Sequence, residues 1–162
     1  MAPVWRYFGE SDRVEAAVVP LTLCIGIEAF VVRIFLVDDN AVIRSHLKEM
    51  LEQKSEWVVV GEASNGREAV RTCGKQKPDL TLMDFLMPEM DGLEAARQLT
   101  RQDPKVPILM ITVDPSRQLE REARKAGIKG LCAKAHMLAL LNAVETLLKG
   151  RTYFPLGLPA AV

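Results

Sequence analysis

The sequence predicts a single α/β domain built on a parallel β-sheet, and three observations lead to this fold class. Short apolar runs rich in β-branched residues alternate with segments whose apolar residues recur at helical spacing, and this alternation occurs five times. The runs are apolar at successive positions, as in strands that helices cover on both faces. The chain has 162 residues, of which 49% are apolar, and this suits one domain with a substantial core.

The five strand–helix units can be assigned in order from residue 32. The first consists of VRIFLV (32–37) and a helix that begins after Asn40, a favoured N-cap residue, with Ile43, Leu47 and Leu51 at helical spacing. The remaining units are WVVVGEA with REAVRTCGKQ, LTLMD with LEAARQLTRQ, VPILMIT with RQLEREARKAG, and the weaker strand GLCAK with MLALLNAVETLLKG. Five strands and five helices are therefore expected.

Residues 1–31 form an N-terminal extension of unclear role. The apolar residues of 14–37 are interrupted by Glu15, Pro20 and Glu28, well short of the roughly twenty uninterrupted apolar residues that a membrane-spanning helix needs. The mixed charge of the first residues is unlike that of a signal peptide. An extra element packed on the domain and a start codon placed too far upstream both remain open.

Composition excludes several classes of function. Lys plus Arg and Asp plus Glu both number 21, so no net charge indicates a nucleic acid partner or an acidic disordered tail. Cys24, Cys73 and Cys132 are widely spaced and odd in number, which predicts neither a disulfide framework nor a zinc site. A reducing, cytoplasmic location fits this cysteine usage.

Polar side chains follow four of the five predicted strands. Asp38 and Asp39 come after the first strand, Asp84 ends the third, Thr112 ends the fourth and Lys134 ends the fifth. Ligands of open parallel sheets bind at the carboxyl ends of the strands. If the strand order is 2-1-3-4-5, the first and third strands are neighbours, and three carboxylates then converge on one crevice.

Three neighbouring carboxylates raise one another's pKa values unless a cation joins them. Oxygen ligands without histidine or cysteine favour a hard cation, and Mg²⁺ binds through one or two carboxylates while keeping several waters. Such an ion can bridge to a phosphoryl oxygen while a nearby carboxylate, Asp84, acts as the nucleophile. Lys134 and Thr112 would contact the remaining phosphoryl oxygens. Considered alone, Asp38 and Asp39 would equally suit capping of the first helix.

Four segments carry a resemblance to a known family. IFLVDDN, LTLMDFLMPEMDG, PILMIT and AGIKGLCAK, in this order and spacing, resemble the receiver domain of two-component response regulators over residues 32–150. The resemblance implies a flavodoxin-like (βα)5 fold, a three-layer sandwich whose parallel sheet has the strand order 2-1-3-4-5. It also implies a phosphorylation-dependent signalling switch and not an enzyme in its own right.

The resemblance implies a role for each residue of the crevice. Asp84 would accept a phosphoryl group from a sensor histidine kinase, and Thr112 and Lys134 would contact the phosphoryl oxygens. The Mg²⁺ ligands would be carboxylates and one backbone carbonyl, namely Asp39 directly, Asp38 mainly through water, Asp84, and the carbonyl of Leu86.

The end of the chain resembles the NarL/FixJ-like branch of the family. LLKGRTYFP (147–155) resembles the segment that leads from the receiver to a helix-turn-helix output domain, and residues 151–162 would be a remnant of that linker. LGLPAAV is too short to build a DNA-binding domain. We therefore expect no direct DNA binding, no membrane association and an unidentified downstream protein as partner. A stand-alone receiver, a lost output domain and a trimmed chain remain open, as does a homodimer.

Three residues depart from the family pattern. Leu131, after Gly130, replaces the Tyr or Phe whose movement is coupled to the switch threonine in the family. Val113, after Thr112, is bulkier than the usual small residue and predicts slower phosphoryl exchange. Ala135 stands where many members have a proline after the lysine, which leaves the following turn less certain.

Because of these departures, two alternative functions are considered. A receiver-like interaction module that is insensitive to phosphorylation would have the same fold without the chemistry. A Mg²⁺-dependent phosphohydrolase with an aspartyl-phosphate intermediate is disfavoured, because such enzymes have a second aspartate two positions after the nucleophile. Here Leu86 occupies that position after Asp84.

The remaining polar residues are assigned structural roles. The basic residues of 117–129 alternate with Glu120 and Glu122, which is typical of a solvated helix face, with a docking surface as the alternative. His46 lies on a helix face and His136 beside a helix start, away from the acidic cluster, so both are expected to be structural.

Overall fold

The computed structural model describes residues 31–155, so the predicted N-terminal extension lies outside the described residues except for Val31, as do residues 156–162 of the predicted tail. The elements alternate as β1 Val32–Val37, α1 Ala41–Glu52, β2 Trp57–Ala63, α2 Gly66–Gln76, β3 Leu80–Asp84, α3 Gly92–Gln102, β4 Ile108–Thr112, α4 Arg117–Lys125, β5 Gly130–Ala133 and α5 Met137–Leu148. No helix within residues 31–155 is long and apolar enough to cross a membrane.

The five strands form one parallel sheet in the predicted order, β2-β1-β3-β4-β5. At the carboxyl edge, Val37 of β1 pairs with Met83 of β3, and Thr112 of β4 pairs with Ala133 of β5. The residues that follow these four strands therefore lie side by side along one edge of the sheet. The convergence expected from the strand order is confirmed at the level of the backbone.

Alternate strand residues pack on opposite faces of the sheet. Ile34 and Leu36 contribute to a core with α1 and α5, whereas Phe35 and Val37 contribute to a second core with α2, α3 and α4. All four are at most 1% exposed. Each such side chain contributes about 1.5–3 kcal/mol on burial. The result is the predicted three-layer sandwich, in which the sheet is covered on both faces.

Four helices begin at a side-chain cap. Asn40, Asn65, Asp91 and Ser116 each accept a hydrogen bond from a backbone N–H in the first turn of α1, α2, α3 and α4, respectively. Each cap of this kind contributes about 1 kcal/mol. The α5 helix starts after His136 without a side-chain cap. The caps set where the chain leaves the carboxyl edge, and so they shape the loops around the candidate site.

The prediction of a solvated face on α4 is wrong at Glu120. This residue is fully buried, and its Oε1 accepts hydrogen bonds from Nε and Nη2 of Arg124 at 3.1 and 2.9 Å. The two residues are one helical turn apart, so the guanidinium lies beside the carboxylate and offsets part of the cost of burying its charge, while Oε2 has no hydrogen-bond partner among the described residues. Charge alternation along the sequence could not distinguish this buried pair from exposed charges.

Candidate functional site

The first acidic residues of the crevice are Asp38 and Asp39, directly after β1. Asp38 is fully buried, and its Oδ1 accepts a hydrogen bond from the backbone N–H of Asn40 at 2.9 Å. Asp39 is exposed. Asn40 is the N-cap of α1, so neither aspartate performs the capping role that remained open from sequence. Both carboxylates lie at the carboxyl edge of the sheet, where a ligand would bind.

A single lysine joins the buried carboxylates of two strands. Lys134 Nζ lies 2.7 Å from Asp38 Oδ2 and 2.8 Å from Asp84 Oδ2. Asp84 is 4% exposed. A carboxylate at the end of a buried strand is tolerable here because its charge is paired. Of the residues predicted from sequence, the structure thus brings Asp38, Asp84 and Lys134 into direct contact.

The environment shifts the pKa values of the paired groups. Burial raises the pKa of the Asp84 carboxyl, while the hydrogen bond and charge of Lys134 and the backbone N–H of Leu86 oppose this effect only in part. Burial acts to lower the pKa of Lys134, but the hydrogen bonds and charges of Asp38 and Asp84 together raise it above its ordinary value. The lysine is therefore held in its charged form.

Asp38, Asp39 and Asp84 form a cluster that suits a cation. Each offers one carboxylate oxygen, and these three atoms lie within 4.8 Å of one another. With all groups ionised, the three carboxylates carry more negative charge than Lys134 alone can balance. Carboxylate oxygens without nitrogen or sulfur donors fit a hard divalent ion such as Mg²⁺. The residues of this crevice therefore fit the implied ion in both chemistry and spacing.

Thr112 lies at the end of β4, beside the crevice. It is 2% exposed, and its Oγ1 accepts a hydrogen bond from the N–H of Asp114 at 3.3 Å. Its backbone carbonyl accepts a bond from the N–H of Lys134 at 2.8 Å. Val113, by contrast, is 75% exposed. The backbone thus couples the position of Thr112 to that of the lysine.

The loop after β3 is folded tightly around Asp84. Phe85 donates its N–H to the carbonyl of Ile111 at 2.9 Å, and Gly92 donates its N–H to the carbonyl of Phe85, also at 2.9 Å. A Cβ at Gly92 would overlap the carbonyl oxygen of Asp84. Glycine is therefore required there for the close approach of two backbone segments. Leu86, whose carbonyl was predicted as a metal ligand, lies within this loop.

The structure also reveals features that sequence reasoning missed. Arg44 of α1 donates a hydrogen bond from Nη1 to the carbonyl oxygen of Asp38 at 2.7 Å. Its position on an amphipathic helix carried no signal of this role. Four large apolar side chains are exposed in segments that follow β1, β3, β4 and β5, namely Val42, Leu86, Val113 and Leu138. They were not recognised as a group because they are far apart in sequence.

Comparison with known proteins supports this fold. A model of the response regulator receiver domain matches residues 34–145. The response regulator UvrY of Escherichia coli is 35% identical over 123 residues, which are 75% of this chain and 56% of that protein. The chemotaxis protein CheY of Thermotoga maritima is 39% identical over 102 residues, covering 63% of this chain and 84% of that protein.

A solved structure is also similar. The two-component response regulator of the LuxR family from an Aurantimonas species superposes with a TM-score of 0.74 at 31% identity, covering 76% of this chain and 89% of that chain. The chain spans about half the length of curated relatives such as UvrY and the Bacillus subtilis regulator YdfI. The match to the family model, the sheet order and the relatives agree, and the chain belongs to the response regulator receiver domain family.

Proposed function

We propose that this chain is a phosphorylation-dependent signalling switch in which Asp84 accepts a phosphoryl group from a sensor histidine kinase. The observation that carries the proposal is the contact of Lys134 Nζ with both Asp38 and Asp84 inside an acidic cluster. We assign this role to a receiver domain of residues 32–150, between an N-terminal extension and the tail 151–162. In this proposal the chain assists only the transfer of a phosphoryl group onto its own Asp84. It does not act as an enzyme on other substrates.

In the proposed reaction, a carboxylate oxygen of Asp84 forms a bond to phosphorus while the bond from phosphorus to the donor's imidazole nitrogen breaks. The electron pair of that bond returns to the imidazole. Lys134 keeps its charge beside the reacting carboxylate and stabilises the phosphoryl oxygens, and the Thr112 hydroxyl donates a further hydrogen bond. Mg²⁺ held by Asp38, Asp39, Asp84 and the Leu86 carbonyl would offset the negative charge of donor and acceptor.

The donor would dock on the carboxyl edge of the sheet. Val42, Leu86, Val113 and Leu138 are each more than 60% exposed and surround this edge, because each follows a strand end within a few residues. Large apolar side chains that are exposed on one face of a protein are typical of an interaction surface. We propose that the protein that docks on this face is the kinase domain that presents the phosphohistidine. We further propose a protein as the downstream target, the cytoplasm as the location and a homodimer as one assembly of the chain.

A specific observation favours one alternative. Leu131, which replaces the usual aromatic residue, is fully buried and packs in the core between the sheet and α2, α3 and α4. A side chain already buried has little contact energy to gain by moving inward. A receiver-like interaction module that does not respond to phosphate would show this feature, and Val113 at the edge of the crevice would slow phosphoryl exchange in either case.

The proposal is tested by Phos-tag electrophoresis after incubation with acetyl phosphate and Mg²⁺. We expect a shifted band for the wild type that EDTA prevents and hydroxylamine removes, and no shifted band for Asp84→Asn. Asp103→Asn is the matched control, because Asp103 is an exposed carboxylate that follows α3 at the opposite edge of the sheet. Labelling of Asp84→Asn at the wild-type rate would overturn the site, and an unlabelled wild type would favour the interaction module.

A further inference from the structure

The segment 151–155, here called the strap, extends the sheet beyond β5. Tyr153 forms an isolated parallel bridge with Gly130. The N–H of Leu131 donates to the carbonyl of Tyr153 at 2.8 Å, and the N–H of Tyr153 donates to the carbonyl of Lys129 at 3.0 Å. The open edge of β5 is thereby paired over its first residues, as exposed strand edges require.

Gly130 allows the strap to lie this close. A Cβ at this position would be 2.8 Å from Leu109 Cδ1, 2.9 Å from Leu147 Cδ1 and 3.3 Å from the carbonyl oxygen of Tyr153. A side chain here would require Leu109 and Leu147 to shift and would press on the carbonyl of Tyr153. The strap contact is therefore part of the packing of β5.

Phe154 connects the strap to α4 as well. Its ring packs against the core that contains Leu131, and its centroid lies 3.8 Å from Cζ of Arg124, within the range of a cation–π contact. Arg124 also pairs with the buried Glu120 at 2.9 Å. The strap therefore contacts β5 through the backbone of Tyr153 and contacts α4 through the ring of Phe154.

Each of the two elements that the strap contacts is connected to a residue of the candidate site. The α4 helix follows Thr112 after a loop of four residues, and β5 ends immediately before Lys134. The N–H of Lys134 is bonded to the carbonyl of Thr112. The strap thus contacts both elements, and a change in the position of either α4 or β5 would alter its hydrogen bonds or its ring contact.

We propose that the strap reports the state of the site: it is docked when Asp84 is unmodified and is loosened when Asp84 carries a phosphoryl group. This inference rests on the proposed function, since it requires Asp84 to accept the group. The strap would transmit the change to the chain after residue 155 or to a partner bound there. Because binding and release are linked, loosening the strap by mutation must also tighten binding at the site.

The test is amide hydrogen exchange by NMR on the full chain, with and without beryllofluoride and Mg²⁺ as the phosphoryl mimic. Shifts of the Asp84 and Thr112 amides report occupancy of the site. The amides of Leu131 and Tyr153 report the strap. The amide of Asp79, which donates to the carbonyl of Arg33 between the starts of the central strands β3 and β1, is the internal control.

We expect the Leu131 and Tyr153 amides to exchange about tenfold faster with the mimic bound, a typical size for such coupling, while the Asp79 amide is unchanged. Phe154→Ala should give fast exchange without the mimic and bind the mimic more tightly by the same factor. Thr152→Ala, an exposed strap residue, is the matched control and should behave as wild type.

The wild-type measurement decides the inference even if Phe154→Ala does not fold. Unchanged or slower exchange of the Leu131 and Tyr153 amides in protein whose Asp84 amide has shifted would overturn the strap proposal alone. Failure of the mimic to shift the Asp84 and Thr112 amides would instead overturn the proposed function, and the strap proposal with it.

Discussion

Replacing Lys134 by methionine tests whether one lysine holds the two buried carboxylates together. Its Nζ lies 2.7 Å from Asp38 Oδ2 and 2.8 Å from Asp84 Oδ2, and its side chain is 16% exposed. Removing one partner of a buried ion pair costs about 3–5 kcal/mol, because the other charge remains buried without a counter-charge. Since Lys134 keeps some contact with water, we expect a loss near the lower end, about 3 kcal/mol in the free energy of unfolding.

The assay is urea unfolding followed by circular dichroism, with EDTA present so that no cation replaces the lysine charge. The loss should be smaller by about 1 kcal/mol or more when Asp38→Asn is already present, because one of the two orphaned charges is then absent. Lys125→Met is the matched control, since that lysine is 71% exposed and pairs only with Glu122 among the described contacts. A loss for Lys134→Met no larger than for Lys125→Met would refute the argument.

Three further expectations concern individual side chains. Gly92→Ala should lower the free energy of unfolding in urea by about 1–3 kcal/mol, because the added Cβ would overlap a carbonyl oxygen. Gly74→Ala, which has open space around the added Cβ, should instead stabilise its helix. Equal effects of the two substitutions would contradict this reasoning. Burial raises the pKa of the Cys73 thiol, so iodoacetamide should label it much more slowly in native protein than in urea, as mapped by mass spectrometry. Hydrogen bonds from Ser64 lower the pKa of Glu68 in the folded protein. The ionised Glu68 carboxylate therefore stabilises the fold at a pH above the pKa that Glu68 has in the unfolded chain. This stabilisation is lost as the pH falls through the pKa of Glu68 in the folded protein. The difference in melting temperature between wild type and Glu68→Gln should accordingly disappear in acid, and a difference that persists there would count against this bond.

The resemblance to receiver domains implied the strand order, and the convergence at the carboxyl edge was predictable because it follows from that order. Five apolar strands separated by helices leave few arrangements, and in the order 2-1-3-4-5 the ends of the first and third strands are adjacent. Asp38 and Asp84 thus had to approach each other once the order was correct. For Lys134, the sequence predicted only that it lies near the acidic cluster. That Lys134 bonds both carboxylates depends on side-chain packing that no spacing encodes.

The buried pair on α4 and the strap were not predictable from the same patterns. Glu120 and Arg124 stand among other charges at alternating positions, and helical periodicity of charge is identical for a solvated pair and a buried one. Tyr153 pairs with Gly130 in an isolated bridge of one residue on each side. A strand of this length is too short to show an alternation of apolar residues. Both features depend on what the chain folds against, and that information is not local.

The magnitudes indicate which contacts could support a switch in the absence of an aromatic residue at 131. Leu131 is fully buried, so inward movement offers it little new contact energy. The two backbone hydrogen bonds that Tyr153 forms with Lys129 and Leu131 contribute about 0.5–1.5 kcal/mol each. The contact of Phe154 with Arg124 adds about 0.5–1 kcal/mol. These contributions sum to roughly 1.5–4 kcal/mol, whereas a shift from 1:99 to 99:1 needs about 5.5 kcal/mol. Docking and release of the strap is therefore large enough to produce the tenfold change expected in amide exchange, which corresponds to about 1.4 kcal/mol. It is too small for an all-or-none transition, so a graded response is expected unless a partner adds to the difference.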